Sequence, residues 1–358
     1  MSHIEGYQSF QTKKSIEKKQ KAKSVSASKA VDESLFLPMQ DLTTQHLAIV
    51  VETSYKYAKV IYNETLLTVD GLVNNIPCNR LVFPGDYVLL DKNSTKITHI
   101  AQRSTVLSRD HKDRARRSNA VSNKVIATNI DVAVIVVSAF SPPLHPKFID
   151  RYLMILQNCN IQPVICLNKA DLKTEKDDEI LNIYRKLNIP VVETSTLNNN
   201  GINSLKSYLL GKRAIFVGHS GVGKSSLTNA LMNTHQIKTG EVGEKSLRGR
   251  HTTTSSKFYF WSENSSIIDT PGIRALDVSA FDPSEIQYYF SEFAEHLNCR
   301  YRTCNHINTK TCECGVKIAV EKGFITTSRY DSYVRIMQDL LQAQKLNQQL
   351  TNKKLKHY

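Results

Sequence analysis

"GHSGVGKSSL", which runs from Gly218 to Leu227, decides the fold. It fits the pattern G-x-x-x-x-G-K-[ST] and lies between an apolar run, "AIFVG", and a helix-like run, "LTNALM". In this strand–loop–helix setting, glycines let consecutive backbone N–H groups face phosphate oxygens at the start of a helix. The sequence therefore predicts a phosphate-binding loop. The loop residues predicted to contact a nucleotide are Gly218, His219, Ser220, Gly221, Val222, Gly223, Lys224, Ser225 and Ser226.

A second nucleotide-binding signature, "NKAD", begins at Asn168 and follows the apolar run "PVICL". A carboxylate at Asp171 can accept hydrogen bonds from two N–H groups of guanine, and adenine offers no such pair of donors. Asn168 is predicted to contact the O6 edge, and the stem of Lys169 to cover the ring. The next strand-like run leads to "ETS", in which Thr194 and Ser195 are placed to support the base. These residues indicate GTP rather than ATP.

Further residues supply the chemistry of phosphoryl transfer. Lys224 is predicted to neutralise the β- and γ-phosphates, and Ser225 to bind Mg²⁺. Downstream, "DTPG" begins at Asp269 at the end of the run "SSIID". Asp269 is predicted to hold Mg²⁺ through water, and the N–H of Gly272 to contact the γ-phosphate.

The loop "GRHTTT", residues 249–254, is predicted to complete the Mg²⁺ shell through Thr252 or Thr253, with the choice left open. Ile273 follows "DTPG", where Ras-like enzymes carry a water-orienting glutamine. An apolar side chain cannot orient water, so His251 is, with Lys224, a candidate catalytic residue. A purely structural histidine is the alternative.

These motifs occur in the order base recognition, phosphate loop, switch I and switch II, whereas a Ras-type domain begins with the phosphate loop. The apolar runs between residues 125 and 278 alternate between strand-like and helix-like patterns, which predicts an α/β domain with a mostly parallel sheet. The same strands can pair wherever the chain is cut. We therefore predict one circularly permuted GTPase domain.

The rest of the chain predicts a multidomain protein. Residues 1–44 are rich in lysine and polar residues, which predicts a disordered basic tail. Residues 45–103 contain about five short strand-like runs, which predict a β-barrel of OB type, with an SH3-like barrel as the alternative. A basic linker at 104–124 leads into the GTPase domain, and residues 279–358 form a mostly helical zinc-binding domain.

The zinc prediction rests on the segment "CRYRTCNHINTKTCECG". Cys299, Cys304 and His306 form a compact set of ligands, and zinc requires four in a tetrahedron. The fourth ligand is Cys312 or Cys314. Because protein groups fill all four places, we expect one structural zinc ion.

The formal net charge of +14 predicts a polyanionic partner, with nucleic acid ahead of an acidic membrane. The first residues are polar, and the longest apolar runs are too short to span a bilayer. We therefore expect a cytoplasmic protein with no membrane partner, and a monomer.

The combined motifs resemble the RsgA (YjeQ) family, the ribosome small-subunit-dependent GTPases. The resemblance covers about residues 45–341 and rests on "NKAD", "GHSGVGKSSL", "GRHTTT", "DTPGI", the cysteine cluster and "GFITTSRYDSY". It implies an OB domain, a permuted GTPase domain and a zinc domain that act together on the small subunit and its rRNA during late maturation. It also implies that the subunit stimulates hydrolysis of GTP to GDP and phosphate.

The resemblance leaves the fourth zinc ligand in dispute. The family's spacing after the histidine selects Cys312, but the family's pattern after its last cysteine matches "CGVKIAVEKGFI", which begins at Cys314. We favour Cys314, with a two-residue insertion in the preceding loop. Two other functions remain as alternatives, namely a nucleotide-gated RNA-binding module and a GTPase of large-subunit assembly.

Overall fold

The structure is a computed structural model that describes residues 35–41, 46–73, 76–77, 81–109, 124–232, 257–262, 264–269, 278 and 281–355. It contains an N-terminal β-sheet, a central α/β sheet and a C-terminal helical segment. Within these residues no helix is long and apolar enough to cross a bilayer.

The N-terminal sheet is six-stranded, in the order β1-β8-β7-β2-β3-β4, beside a two-stranded β5–β6 pair. Its strands are β1 (Phe36–Leu37), β2 (Leu47–Thr53), β3 (Tyr57–Tyr62), β4 (Thr65–Asp70), β5 (Leu72–Val73), β6 (Ile76–Pro77), β7 (Tyr87–Leu90) and β8 (Ile97–Ala101). The sheet curls, because the N–H of Asp70 at the end of β4 donates to Thr95 O, just before β8, at 2.8 Å. The predicted strand-rich region is confirmed.

Two features of this region differ from the sequence predictions. Leu35, inside the predicted tail, is 3% exposed, and β1 pairs with β8. Within the predicted linker, β9 (Val106–Arg109) pairs antiparallel with β10 (Lys124–Thr128), and residues 110–123 lie outside the described range. Both differences arise from pairing with distant strands, which a local composition argument cannot detect.

The central sheet has the order β13-β12-β11-β14-β16-β15 and is parallel except for its edge strand β15. Its strands are β11 (Val132–Ser138), β12 (Gln162–Asn168), β13 (Val191–Glu193), β14 (Arg213–Val217), β15 (Lys257–Ser262) and β16 (Ser265–Asp269). Every residue of β11 and β14 is buried, as a parallel sheet covered on both faces requires. The predicted α/β architecture is confirmed.

Helices cover both faces of this sheet. The helices are α1 (Pro146–Asn158), α2 (Glu175–Lys186), α3 (Ile202–Leu209) and α4 (Lys224–Met232). α1 and α2 pack on one face with alternate residues of β11, and α3 and α4 pack on the other face with the residues between them. Local chemistry favours these helices: Pro146 stands at the first position of α1, and Asp177 accepts from the N–H of Thr174 before α2.

The N-terminal sheet is fastened to the central sheet by a buried polar network. Asp86 is fully buried and accepts from Arg103 at 2.8 Å and from Thr128 Oγ1 at 2.7 Å. Arg213, the first residue of β14, donates to Gly85 O at 2.9 Å. Asp86 is thus paired with Arg103, and the guanidinium of Arg213 is held by carbonyl oxygens, so the charged groups that orient the two sheets have close polar partners.

The C-terminal segment packs on the α1 side of the central sheet. Its helices are α5 (Gly315–Glu321) and α6 (Thr327–Leu355), with 3₁₀ turns at Pro283–Tyr289, Ser291–His296 and Thr311–Glu313. The buried Arg329 of α6 donates to Asp150 of α1 and to Glu292, the latter at 2.6 and 3.1 Å. Tyr184 of α2 also donates to Asp150, at 2.8 Å. Arg329 is therefore one link between this segment and α1, beside the pairs that Lys147 and Arg151 of α1 make with Asp339 of α6.

Candidate nucleotide site and metal centre

The phosphate loop leaves β14 at the carboxyl edge of the central sheet and enters α4 at Lys224. Gly218, Gly221 and Gly223 all have positive φ angles. A Cβ on Gly223 would lie 2.2 Å from Nδ2 of Asn168, so only glycine fits between the loop and the "NKAD" segment. The two signatures, which have 46 residues between them in the chain, therefore meet directly.

Asn168 joins the base motif to the phosphate loop. Its Nδ2 donates to Val222 O at 2.9 Å, and its Oδ1 accepts from Thr194 Oγ1 at 3.3 Å. Asn168 ends β12 and Thr194 follows β13, so the carboxyl ends of neighbouring parallel strands bring these residues together. Ser195 is also buried, and its N–H donates to Asn200 O at 3.0 Å.

Lys169 spans the gap between the base motif and the loop after β11. Its ammonium donates to the carbonyl oxygens of Phe140 and Ser141, at 2.9 Å each. Its backbone is left-handed, with φ 57°, which turns the chain sharply at the end of β12. Asp171 lies two residues on and is exposed, where its carboxylate is accessible to a ligand.

The loop lysine and histidine have distinct partners. The ammonium of Lys224 donates to Gly218 O at 2.8 Å and to His219 O at 2.7 Å, so it lies over the loop. The His219 ring packs on Phe148 of α1, with 4.1 Å between ring centroids. Burial, Lys224 and His145 lower the pKa of His219, which favours a neutral ring beside the lysine.

The remaining predicted residues fall into two groups. Ser220, Ser225 and Ser226 are exposed on the loop and the first turn of α4, and Asp269 ends β16 at the same edge of the sheet. Gly272, His251, Thr252, Thr253 and Ile273 lie outside the described residues. The described part of the site thus places a glycine-rich loop, a lysine and a base motif around one edge, an arrangement that suits a nucleotide with its phosphates at the start of α4.

Sequence reasoning did not identify the Phe140 and Ser141 carbonyls or the ring of Phe148 as parts of this site. The segment "SAFSPPLHP" after β11 was the available signal, because a proline-rich loop at the carboxyl edge of a parallel strand lies beside any ligand bound there. The carbonyl contacts depend on backbone geometry, which residue identity does not reveal.

A second cluster of polar side chains lies in the C-terminal segment. Cys299, Cys304, His306 and Cys314 have ligand atoms that all lie within 4.8 Å of one another. His306 Nδ1 is 3.4, 3.6 and 3.5 Å from the sulfurs of Cys299, Cys304 and Cys314. Ligand atoms of a tetrahedral zinc site lie roughly 3.5–3.8 Å apart, so these four residues could hold such an ion.

The surroundings of the cluster also suit a metal. His306 Nε2 lies 2.7 Å from Oε1 of Gln287, which fixes the ring with Nδ1 toward the sulfurs. Burial raises the pKa of the Cys314 thiol to about 12, so a nearby cation is needed to keep it as a thiolate. Cys312 is exposed and is outside this cluster. The role of Gln287 has no signal in the sequence, since it comes from a separate 3₁₀ turn.

Comparisons with known proteins identify the family. The sequence model described as RsgA GTPase matches residues 100–279, and one described as 50S ribosome-binding GTPase matches residues 213–349. A protein of Thermotoga neapolitana named "Small ribosomal subunit biogenesis GTPase RsgA" is 41% identical over 60% of this chain and 72% of its own. A relative of the same name from Thermotoga maritima is 35% identical over 74% of this chain and 85% of its own.

Solved structures agree with this assignment. YjeQ from Thermotoga maritima has a TM-score of 0.61 and 30% identity, and the alignment covers 83% of this chain and 98% of YjeQ. YloQ, described as a circularly permuted GTPase, has a TM-score of 0.60 and 25% identity over 84% of this chain and 98% of its own. The chain belongs to the RsgA GTPase family and is a circularly permuted GTP hydrolase.

Proposed function

We propose that this GTPase binds the small ribosomal subunit and assists its late maturation, with hydrolysis of GTP to GDP and phosphate stimulated by the subunit. The hydrogen bond from Asn168 to Val222 supports the GTPase part, because it joins the base motif to the phosphate loop in one site. The names of the relatives support the ribosomal part.

Guanine recognition is assigned to the residues at the ends of β12 and β13. Asp171 accepts from the two guanine N–H groups, and Asn168 lies at the O6 edge. Lys169 covers the ring with its stem while the Phe140 and Ser141 carbonyls hold its ammonium. Thr194 and Ser195 support the base through the loop after β13.

The phosphates and Mg²⁺ are assigned to the opposite side of the site. The backbone of residues 218–226 surrounds the phosphates, and Lys224 neutralises their charge. Ser225, Asp269 and either Thr252 or Thr253 would hold the Mg²⁺, which stabilises charge on the transferring phosphoryl group. Gly272 provides an N–H for the γ-phosphate.

His251 is proposed to position the attacking water when the small subunit is bound. This proposal rests on Ile273, which occupies the place of the glutamine in Ras-like enzymes. We expect His251→Ala to keep GTP binding and to lose subunit-stimulated hydrolysis by on the order of 10²-fold. Single-turnover hydrolysis at saturating small subunits measures this loss. An unchanged rate would indicate that a ribosomal group, and not His251, positions the attacking water.

The metal centre is proposed to hold one structural zinc ion through Cys299, Cys304, His306 and Cys314, with Cys312 as the alternative fourth ligand. Its four protein ligands leave no open position for substrate. The net charge of +14 favours contact with rRNA, and the proposed state is a cytoplasmic monomer without a membrane partner.

Two alternative functions are each supported by one observation. The match to the 50S ribosome-binding GTPase favours a function on the large subunit. Ile273 favours an RNA-binding module that is gated by nucleotide and does not turn it over. Multiple-turnover phosphate release with no subunits, small subunits or large subunits separates the three. The proposal predicts slow release alone and strong stimulation by small subunits, whereas stimulation by large subunits only, or no turnover, would reject it.

A further inference from the structure

A cavity of about 550 Å³ lies in the C-terminal segment beside the metal centre. Its lining includes His296, Asn298, Arg300, Lys322 and Phe324. None of these residues is a ligand of the metal cluster or part of the nucleotide site. The cavity therefore needs an explanation of its own.

The exposed aromatic ring in this cavity is placed there by the end of α5. Gly323 has φ 76°, the N–H of Gly323 donates to Val320 O at 3.0 Å, and the N–H of Phe324 donates to Ala319 O at 2.9 Å. These two bonds form a Schellman motif, in which the residue after the glycine usually packs back on its helix. Phe324 instead is 68% exposed, whereas the next residue, Ile325, is 1% exposed.

Phe324 is part of a stacked pair. Its ring and that of His296 have centroids 5.7 Å apart and planes 18° apart, so one face of the pair is ordered without being covered. A flat aromatic face that is held in place and exposed is the feature on which an unpaired nucleobase stacks.

Cationic groups border the same cavity. The side chain of Arg300 is 68% exposed although it pairs with Glu313, and its guanidinium lies 5.7 Å from the ring of Tyr301, which is 49% exposed. Lys322 precedes the turn that carries Phe324. Both cationic side chains line the cavity and are thus available to the phosphates that flank a stacked base.

We propose that this cavity binds an unpaired base of single-stranded RNA, which stacks on Phe324 while Arg300 and Lys322 contact the neighbouring phosphates. The proposal rests on the proposed ribosomal function and specifies the form of RNA that this segment contacts. Double-stranded RNA keeps its bases stacked within the helix, so a duplex cannot supply a free base face.

The full-length, metal-loaded protein is tested with a short single-stranded oligouridylate and with an RNA duplex of the same length. Cys312 lines the cavity and is exposed, so its alkylation by iodoacetamide, mapped by mass spectrometry, reports occupancy locally. We expect the single strand to protect Cys312 and the duplex to protect it much less.

The matched variants are Phe324→Leu and Tyr288→Leu, because Tyr288 is 63% exposed on the same segment and is outside the cavity. We expect Phe324→Leu to raise the RNA concentration needed for half-protection on the order of tenfold, and Tyr288→Leu to leave it unchanged. Lys322→Gln should weaken protection, whereas Lys310→Gln, at an exposed site outside the cavity, should not.

Equal protection by single strand and duplex, or equal effects of Phe324→Leu and Tyr288→Leu, would overturn the proposal. If whole small subunits protected Cys312 but neither RNA did, the cavity would be assigned to a protein partner and the proposal would be overturned as well. Metal content and GTP affinity confirm that each variant is folded. Stimulation of wild-type GTP hydrolysis by small subunits is measured in parallel, because its absence would reject the ribosomal function independently of the cavity.

Discussion

Much of the phosphate loop is exposed, from His219 to Gly221 and at Ser225 and Ser226, whereas His306 and Cys314 in the metal cluster are 2% and 0% exposed. The nucleotide site uses backbone N–H groups and charged side chains that a ligand can reach. In the metal cluster His306 and Cys314 are buried, Cys299 and Cys304 are partly exposed, and the four ligand atoms face one another. The difference suits a first site that exchanges its ligand and a second that could hold a metal ion as part of the fold.

Helix α1 connects the two regions. Near its start, Phe148 packs on His219 of the phosphate loop, and two residues later Asp150 pairs with Arg329 of the C-terminal segment. The same helix thus contacts the phosphate loop and anchors the C-terminal segment.

The largest effect is expected at the metal centre. Cys314→Ser should lose the metal and unfold the C-terminal segment, because structural zinc contributes about 10–16 kcal/mol in small metal-dependent folds. Cys312→Ser is the control, since Cys312 is exposed and outside the cluster. Metal-to-protein ratio and limited proteolysis measure both variants. The reverse ranking would make Cys312 the fourth ligand and show that the cluster is arranged differently.

The second-largest effect is expected at Arg329, which links the C-terminal segment to α1. Arg329→Met should lower the free energy of unfolding by about 3–5 kcal/mol, because it leaves the partly buried carboxylate of Glu292 without its cation and the buried Asp150 Oδ1 without its donor. Arg335→Met, at an exposed position of the same helix, should have little effect. Denaturant unfolding compares the two variants. If both variants lost the same free energy of unfolding, the charge of Arg329 would contribute nothing beyond the contact area of its side chain.

A substitution in the nucleotide site should change the affinity for GTP rather than the free energy of unfolding. Asp171→Asn should weaken GTP binding by about 1.5–3 kcal/mol, because a charged acceptor of two guanine N–H groups is lost. Unfolding should be unchanged, since Asp171 is exposed. Glu179→Gln, an exposed carboxylate nearby on α2, is the control. Equilibrium binding of GTP tests the assignment, and an unchanged affinity in Asp171→Asn would remove it.

The smallest effect concerns pH. Burial raises the pKa of Asp150, although Arg329 opposes the shift. The folded protein then holds the proton to a higher pH than the unfolded chain, whose pKa is about 4. The contribution of Asp150 to the free energy of unfolding is therefore complete below about pH 4. It declines as the pH rises toward the pKa of the folded state. As the pH rises above about 4, the Tm of wild type should fall relative to that of Asp150→Asn; parallel curves would show that Asp150 keeps an ordinary pKa.

The parts of this fold that sequence could predict are those with local signals. The apolar runs correctly gave β11, β12 and β14 and the helices after them, because buried parallel strands are continuous apolar segments. The pairing of Leu35–Leu37 with the first sheet and the β9–β10 ribbon were missed, because both depend on distant partners. The roles of Arg213, Arg329 and Gln287 were missed for the same reason.

The candidate sites show the same division. The phosphate loop and "NKAD" were found by residue identity and spacing, and the cysteine-rich segment by density. Spacing alone left Cys312 and Cys314 open, whereas the structure places Cys314 in the cluster and Cys312 on the surface. Phe324 gave no signal, because its exposure is set by a turn that ends a helix and not by the residue itself.

We propose that the nucleotide site performs the chemistry and that the metal cluster supports recognition of the ribosome. The most direct test is GTP hydrolysis by metal-free Cys314→Ser protein, measured with and without small subunits. We expect a basal rate within about twofold of wild type, because the P-loop and Lys224 are intact, and a loss of the subunit-stimulated rate. A basal rate that falls in proportion to metal loss would mean that the metal takes part in the chemistry, and full stimulation by small subunits would mean that the metal has no part in recognition; either result would refute this division of roles.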